Sequence, residues 1–152
     1  MELTKKCVLV FGTGISGIGA AHLLLAKGAE VILYDGNTEK DKDVLLAEFP
    51  AGSKVRIVLG ELPEAEMEQL DLVVMSPGVP CDLPVVLAMK EKGIHIWGEV
   101  ELAYECGKGD VLAVTGTNGK TTTTSLLGAI MHAYHPEVYI VGNIGNPYTE
   151  AA

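Results

Sequence analysis

Two glycine-rich stretches carry residue types and spacings that can do chemistry. The first is Gly116-Thr117-Asn118-Gly119-Lys120-Thr121-Thr122, directly after the apolar run Val111-Leu112-Ala113-Val114-Thr115. Glycines let a backbone fold closely around a phosphate with its N–H groups turned inward. A helix opening at Thr121 would add unpaired donors and a partial positive charge. Lys120 offers a mobile cation to the outer phosphates and Thr121 a hydroxyl to Mg²⁺. The pattern is that of a nucleoside-triphosphate loop, in a shortened form. The common version has a further glycine where Val114 stands. A glycine turn with a chance Lys-Thr after it is the plain alternative.

The second stretch is Gly12-Thr13-Gly14-Ile15-Ser16-Gly17, preceded by the apolar Cys7 to Phe11 and followed by a helical pattern through Lys27 that Gly28 can end. Val31 to Tyr34 reads as a second strand with Asp35 at its carboxyl end. Strand, G-x-G-x-x-G, helix, strand and acid, with about 20 residues from motif to acid, make the dinucleotide-type fingerprint in its full context. It points to a bound nucleotide or nucleotide-sugar, against a tight turn of structural use only. An NAD-dependent oxidoreductase or nucleotide-binding module would explain Gly12 to Asp35 but would leave Gly116 to Thr121 without a role. Ser76-Pro77-Gly78-Val79-Pro80 follows another apolar run. It could line the ligand crevice at the carboxyl end of a parallel strand or be a rigid turn alone.

The elements that must position these residues alternate between strand and helix, which makes the fold class α/β with a Rossmann-like parallel sheet. Further strands are expected at Val55 to Leu59, Leu72 to Met75 and Ile94 to Trp97, and helices within Asn37 to Phe49 and over Glu64 to Gln69, Leu83 to Lys92 and Glu99 to Cys106. Gly107-Lys108-Gly109 reads as a hinge, dividing a nucleotide domain (1–108) from the start of a triphosphate-loop domain (109–152). The second unit should contain strands at Val111 to Thr115 and Val138 to Val141 around a helix to about Ala133. About forty residues of this kind cannot cover both faces of a parallel sheet. The sequence is therefore expected to be part of a longer enzyme.

Composition narrows the partners. The 152 residues are 48% hydrophobic and 20% charged, enough to bury a core. A net charge of −9 argues against nucleic acid and anionic membrane surfaces as partners. A phosphate ligand must then be held locally, by backbone donors and a few side chains. Cys7, Cys81 and Cys106 lack metal-ligand spacing and fit a reducing cytoplasm. Lys5 and Lys6 before an apolar segment imitate a signal peptide. However, Gly12, Gly14, Gly17 and Gly19 break that segment, and it is also too broken to span a membrane. His22, His132 and His135 have no ligand partners at suitable spacing, and His95 fits an edge strand.

A Gly-Thr-Asn-Gly-Lys-Thr loop straight after Val-Leu-Ala-Val-Thr resembles the Mur ligase family, which also takes in the folylpolyglutamate synthetases. The order of Gly12-x-Gly14-x-Ser16-Gly17, Ser76-Pro77-Gly78-Val79-Pro80, Gly98-Glu99-Val100-Glu101-Leu102, Thr115 to Thr121 and Gly142-Asn143-Ile144-Gly145 is most similar to the family's D-glutamate-adding branch. A folate-type ligase would not explain the N-terminal nucleotide domain.

The resemblance implies an ATP-dependent ligase of peptidoglycan synthesis. Its substrates would be UDP-N-acetylmuramoyl-L-alanine and D-glutamate, and its cofactors ATP and Mg²⁺. The N-terminal domain would hold the uridine nucleotide and not NAD. Gly14, Ile15 and Ser16 would face the diphosphate, Asp35 the uridine end, and Ser76, Pro77 and Gly78 the same cleft, with Asn143 on the substrate side. Gly116, Thr117, Asn118, Gly119, Lys120, Thr121 and Thr122 would bind ATP. Lys120 and Thr121 would be the catalytic pair, with Thr121 ligating Mg²⁺. The resemblance further implies a second Mg²⁺-binding acid, a carbamylated lysine, a histidine and a C-terminal domain, none within these 152 residues. By itself the chain is expected not to complete the reaction, and a UDP-sugar-binding role alone is a third reading.

Overall fold

A computed structural model describes residues 2–142 and 146–152 of the protein. Five strands form one parallel sheet: β1 (Cys7–Phe11), β2 (Glu30–Asp35), β3 (Val55–Leu59), β4 (Leu72–Met75) and β5 (His95–Gly98). Between them run α1 (Ile15–Ala26), α2 (Lys42–Ala47), α3 (Glu64–Met67) and α4 (Pro84–Glu91), and α5 (Glu99–Cys106) follows β5 without a break. The spatial order is β3-β2-β1-β4-β5, with Val8 opposite Val31 on one side and Leu72 on the other.

A parallel sheet covered on both faces needs apolar residues at successive strand positions, and the period-2 alternation then sorts them into two cores. Val8, Val10, Val31, Leu33, Leu72 and Val74 turn to one face, against Ala20, Ala21 and Leu24 of α1 and Leu102 of α5. Leu9, Phe11, Ile32, Tyr34, Val73 and Met75 turn to the other, against Val86 and Met89 of α4 and Met67 of α3. The five expected strands thus form within a residue or so of their expected limits, and His95 is exposed on an edge strand as expected.

The second unit departs from expectation in two places. Val111 to Thr115 is not a strand: Val111 and Leu112 are 44% and 59% exposed. Val138 to Val141 forms no strand either and contributes one isolated bridge, Val141 to Asn146. A strand exists only where another backbone completes its ladder, and no described strand pairs with 111–115. Apolar patterning records what can be buried, not whether a neighbour is at hand. The helix between them, α6 (Lys120–His132), does form. Ile140 lies back against it at Gly128, where an added Cβ would stand 2.3 Å from the Ile140 Cδ1. After residue 146 a single 3-10 turn, Tyr148–Glu150, seats Thr149 in a buried position between α1 and α5.

Candidate functional site

Strand order fixes where a ligand can enter. From β1 the chain moves outward to β2 and β3 on one side and to β4 and β5 on the other, so the direction reverses between β1 and β4. In sheets of this kind the crevice lies at that reversal, outside the carboxyl ends of the strands. The β1–α1 turn and the loop after β4 both stand there, and Ser76 N–H donates to the Phe11 carbonyl across it at 3.0 Å.

Two glycines of the turn, Gly12 and Gly17, leave no room for a side chain. Gly12 has φ +107°, and a Cβ on it would lie 2.8 Å from Ser76 Oγ. A Cβ on Gly17 would lie 1.8 Å from the Gly12 carbonyl oxygen, which is the close helix-to-strand approach the motif exists to permit. Gly14, the N-cap of α1, faces open space within 4 Å of where its Cβ would be. Ile18 N–H closes the first helical bond on Gly14 O at 2.9 Å, and no described residue accepts from the N–H groups of Ile15, Ser16 or Gly17. Those are the donors a helix start leaves for an anion. Ile15 is 77% exposed at the same place. Ser76 Oγ is buried and unpaired among the described residues, facing the turn, while Pro77 and Gly78 are exposed beyond it.

Asp35 ends β2 beside this turn, and its carboxylate is heavily engaged. Oδ2 accepts from Thr13 N–H (3.2 Å), Thr13 Oγ1 (2.8 Å) and Lys40 Nζ (2.8 Å), and Oδ1 accepts from Asn37 N–H (3.0 Å). Lys40 also donates to Thr13 Oγ1. Burial alone would raise the Asp35 pKa, but the Lys40 ammonium and the Asn37 and Thr13 donors outweigh it and hold it at about 2. Neither Thr13 nor Lys40 is singled out by sequence reasoning. Thr13 occupies a free position of the glycine motif, and Lys40 sits in what reads as an ordinary polar turn.

The second glycine stretch stands apart from this crevice in sequence. Gly119 (φ +77°) caps α6 and Gly116 (φ +145°) opens the loop, both in backbone regions that favour glycine. Thr123 N–H bonds to Gly119 O at 2.9 Å, leaving the N–H groups of Lys120, Thr121 and Thr122 without described acceptors. The Lys120 ammonium folds over the loop onto the Gly116 and Thr117 carbonyls. Thr117, Asn118 and Thr121 are all exposed. Asn143 lies outside the described residues.

Other features carry less chemistry. A cavity of about 330 Å³ lined by Asp71, Lys92 and His95 opens at the amino-terminal ends of β4 and β5, opposite the crevice. Cys7, Cys81 and Cys106 are free, and burial pushes the Cys7 and Cys106 thiols up, away from reactivity. Among the described residues no three potential ligands are grouped to hold a metal, and no helix is long and apolar enough to cross a membrane.

Comparison with known proteins matches this architecture. Residues 6–98 fit the family model described as Mur ligase MurD-like, N-terminal domain. The chain is 52% identical over 149 residues to the UDP-N-acetylmuramoylalanine–D-glutamate ligase of Lachnospira eligens, covering 98% of this chain and 33% of that protein. It is 51% identical over 150 residues to the enzyme of the same name from Lachnoclostridium phytofermentans, covering 99% and 33%. The chain thus spans about a third of the length of these relatives. Among solved structures, a murein peptide ligase from Psychrobacter arcticus aligns with a TM-score of 0.56 at 28% identity, over 84% of this chain and 26% of that one. A pseudomurein peptide ligase type C from Methanothermus fervidus gives 0.55 at 25% identity, over 85% and 26%. The glycine turn, the sheet order and these likenesses agree, and the chain belongs to the Mur ligase family, with an N-terminal domain of the MurD-like kind.

Proposed function

We propose that these residues serve an ATP-dependent ligase that joins D-glutamate to UDP-N-acetylmuramoyl-L-alanine in peptidoglycan synthesis, in the cytoplasm. The observation that carries this is the open α1 N-terminus at the sheet reversal, where the Ile15, Ser16 and Gly17 amides and the Ser76 hydroxyl have no partner among the described residues. It offers a diphosphate the donors that a protein of net charge −9 cannot supply by a general field. The names of the relatives supply the substrate. In this reading residues 1–108 form the UDP-substrate domain and 109–152 belong to the ATP-binding domain.

In the nucleotide domain, Gly14, Ile15 and Ser16 hold the diphosphate, Asp35 borders the uridine end, and Ser76, Pro77 and Gly78 wall the cleft. Asn143, outside the described residues, is assigned to the substrate side by the family resemblance alone. The residues of the 116–122 loop fit a triphosphate: glycines with positive φ, a helix start with unpaired amides, and an ammonium hinged over the loop. Bound there, Mg-ATP supplies the phosphoryl group that activates the substrate carboxylate. Lys120 would neutralise charge on the outer phosphates, Thr121 would offer its hydroxyl to Mg²⁺, and the backbone would orient the chain of phosphates. The carboxylate oxygen takes the γ-phosphoryl group and ADP leaves. The D-glutamate amine then forms the amide bond, and phosphate and a proton depart. The part of these 152 residues in that cycle is to bind and position the two nucleotides.

A parallel thermal-shift titration with UDP-N-acetylmuramoyl-L-alanine, Mg-ATP and NADH tests the reading, because a ligand that binds only the folded state raises Tm. Stabilisation by the UDP-sugar and not by NADH is expected. Stabilisation by NADH alone would support an oxidoreductase module in its place.

A further inference from the structure

An acidic protein that binds a nucleoside diphosphate needs a cation near the phosphates, and the location of the ion pairs narrows the choice. Lys6–Asp71 and Lys54–Glu30 stand at the amino-terminal ends of the strands, away from the crevice. Lys40–Asp35 stands at the carboxyl end of β2, beside the glycine turn. Lys40 Nζ donates to Asp35 Oδ2 at 2.8 Å and to the buried Thr13 Oγ1, one residue before the N-cap of α1. The long side chain is thereby pinned at two points. An ammonium has three donors, so one remains uncommitted, and the side chain is still 35% exposed.

We propose that Lys40 is a specificity-determining residue of the N-terminal site, a cation held by Asp35 and Thr13 so that its remaining N–H meets the diphosphate of the nucleotide at the start of α1. This rests on the reading of that site as a nucleoside-diphosphate pocket. Pre-organisation is the physical gain: a free lysine loses rotamer entropy on binding, whereas one already fixed loses little. Asp35 is then both the fixing partner and the counter-charge that keeps the empty site neutral.

The test is calorimetric titration of the full chain with uridine, UDP and UDP-N-acetylmuramoyl-L-alanine, comparing wild type with Lys40→Met, Lys40→Arg, Asp35→Asn and the double variant Asp35→Asn/Lys40→Met. The expected result is about a tenfold loss of affinity for both diphosphates in Lys40→Met, unchanged uridine binding and substantial retention in Lys40→Arg, with Tm recorded to confirm folding. The double variant should remain weaker than Asp35→Asn alone. Equal losses for uridine and UDP would overturn the proposal, since Lys40 would then only order its loop. Restored UDP affinity in the double variant would overturn it too, because Lys40 would act only by neutralising Asp35. If wild type binds none of the three ligands, the nucleotide reading itself fails and the proposal with it.

Discussion

Thr149 and Glu99, fifty residues apart in sequence, meet in the interior: the Thr149 N–H and Oγ1 both donate to Glu99 Oε1, each at 3.3 Å. They are 4% and 5% exposed. Glu99 is the first residue of α5, and Thr149 lies in the turn that returns after the 109–142 stretch. The contact reaches α1 as well, because a Cβ on Gly19 would stand 2.8 Å from Thr149 Oγ1. The return segment is thus anchored on the helix whose N-terminus opens at the glycine turn.

Breaking that anchor should loosen the end of the chain before it unfolds the sheet. Thr149→Val removes the hydroxyl and leaves Glu99 with one long bond, at an expected cost of about 1 to 2 kcal/mol, while Thr149→Ser should retain most of the stability. Urea denaturation measures the cost. Limited proteolysis should cut the return segment 147–152 sooner in Thr149→Val and in Gly19→Ala. Wild-type cleavage rates in both would remove the anchoring role.

The two glycines of the turn should separate sharply. Gly17→Ala forces a carbon against the Gly12 carbonyl and should cost on the order of 3 kcal/mol or more. Gly14→Ala enters open space at an ordinary φ of −83° and should change stability by no more than about 0.5 kcal/mol. Differential scanning calorimetry of the pair decides. Similar melting temperatures would mean the turn is looser than its geometry.

Acid should act partly through Asp35. Its folded pKa of about 2 lies below the ordinary 3.8, so the ionised carboxylate stabilises the fold above about pH 4. That contribution is lost as pH falls from about 4 to about 2, and Asp35→Asn should flatten the stability profile over that window. Parallel profiles for wild type and variant would show that the Lys40–Thr13–Asp35 network adds nothing to folding.

At the second loop, Lys120→Ala should weaken Mg-ATP binding by about tenfold or more without lowering Tm, since Lys120 is exposed and its hydrogen bonds among the described residues go to its own loop. Unchanged affinity in a calorimetric titration would count against the loop's assigned role.

Much of the fold was legible because each strand of a covered parallel sheet is a short apolar run, and glycines mark the turns where backbones approach. Cys7 to Phe11, Gly12 to Gly17 and Asp35 could be placed from local pattern alone. Val111 to Thr115 carries the same apolar signature yet forms no strand, because pairing depends on a neighbouring backbone that composition does not record. Lys40 and Thr13 escaped notice for a related reason. Their importance comes from meeting Asp35 across a turn, and no spacing rule encodes that meeting. The Glu99–Thr149 bond, across fifty residues, was beyond any local reading.

The central claim is that the glycine turn takes a UDP-linked substrate, and amide NMR of the full chain tests it most directly. UDP-N-acetylmuramoyl-L-alanine should shift the Ile15, Ser16 and Gly17 amides together with those of Ser76 and Gly78, while NADH at the same concentration leaves them in place. Shifts at those amides with NADH and none with the UDP-sugar would contradict the account.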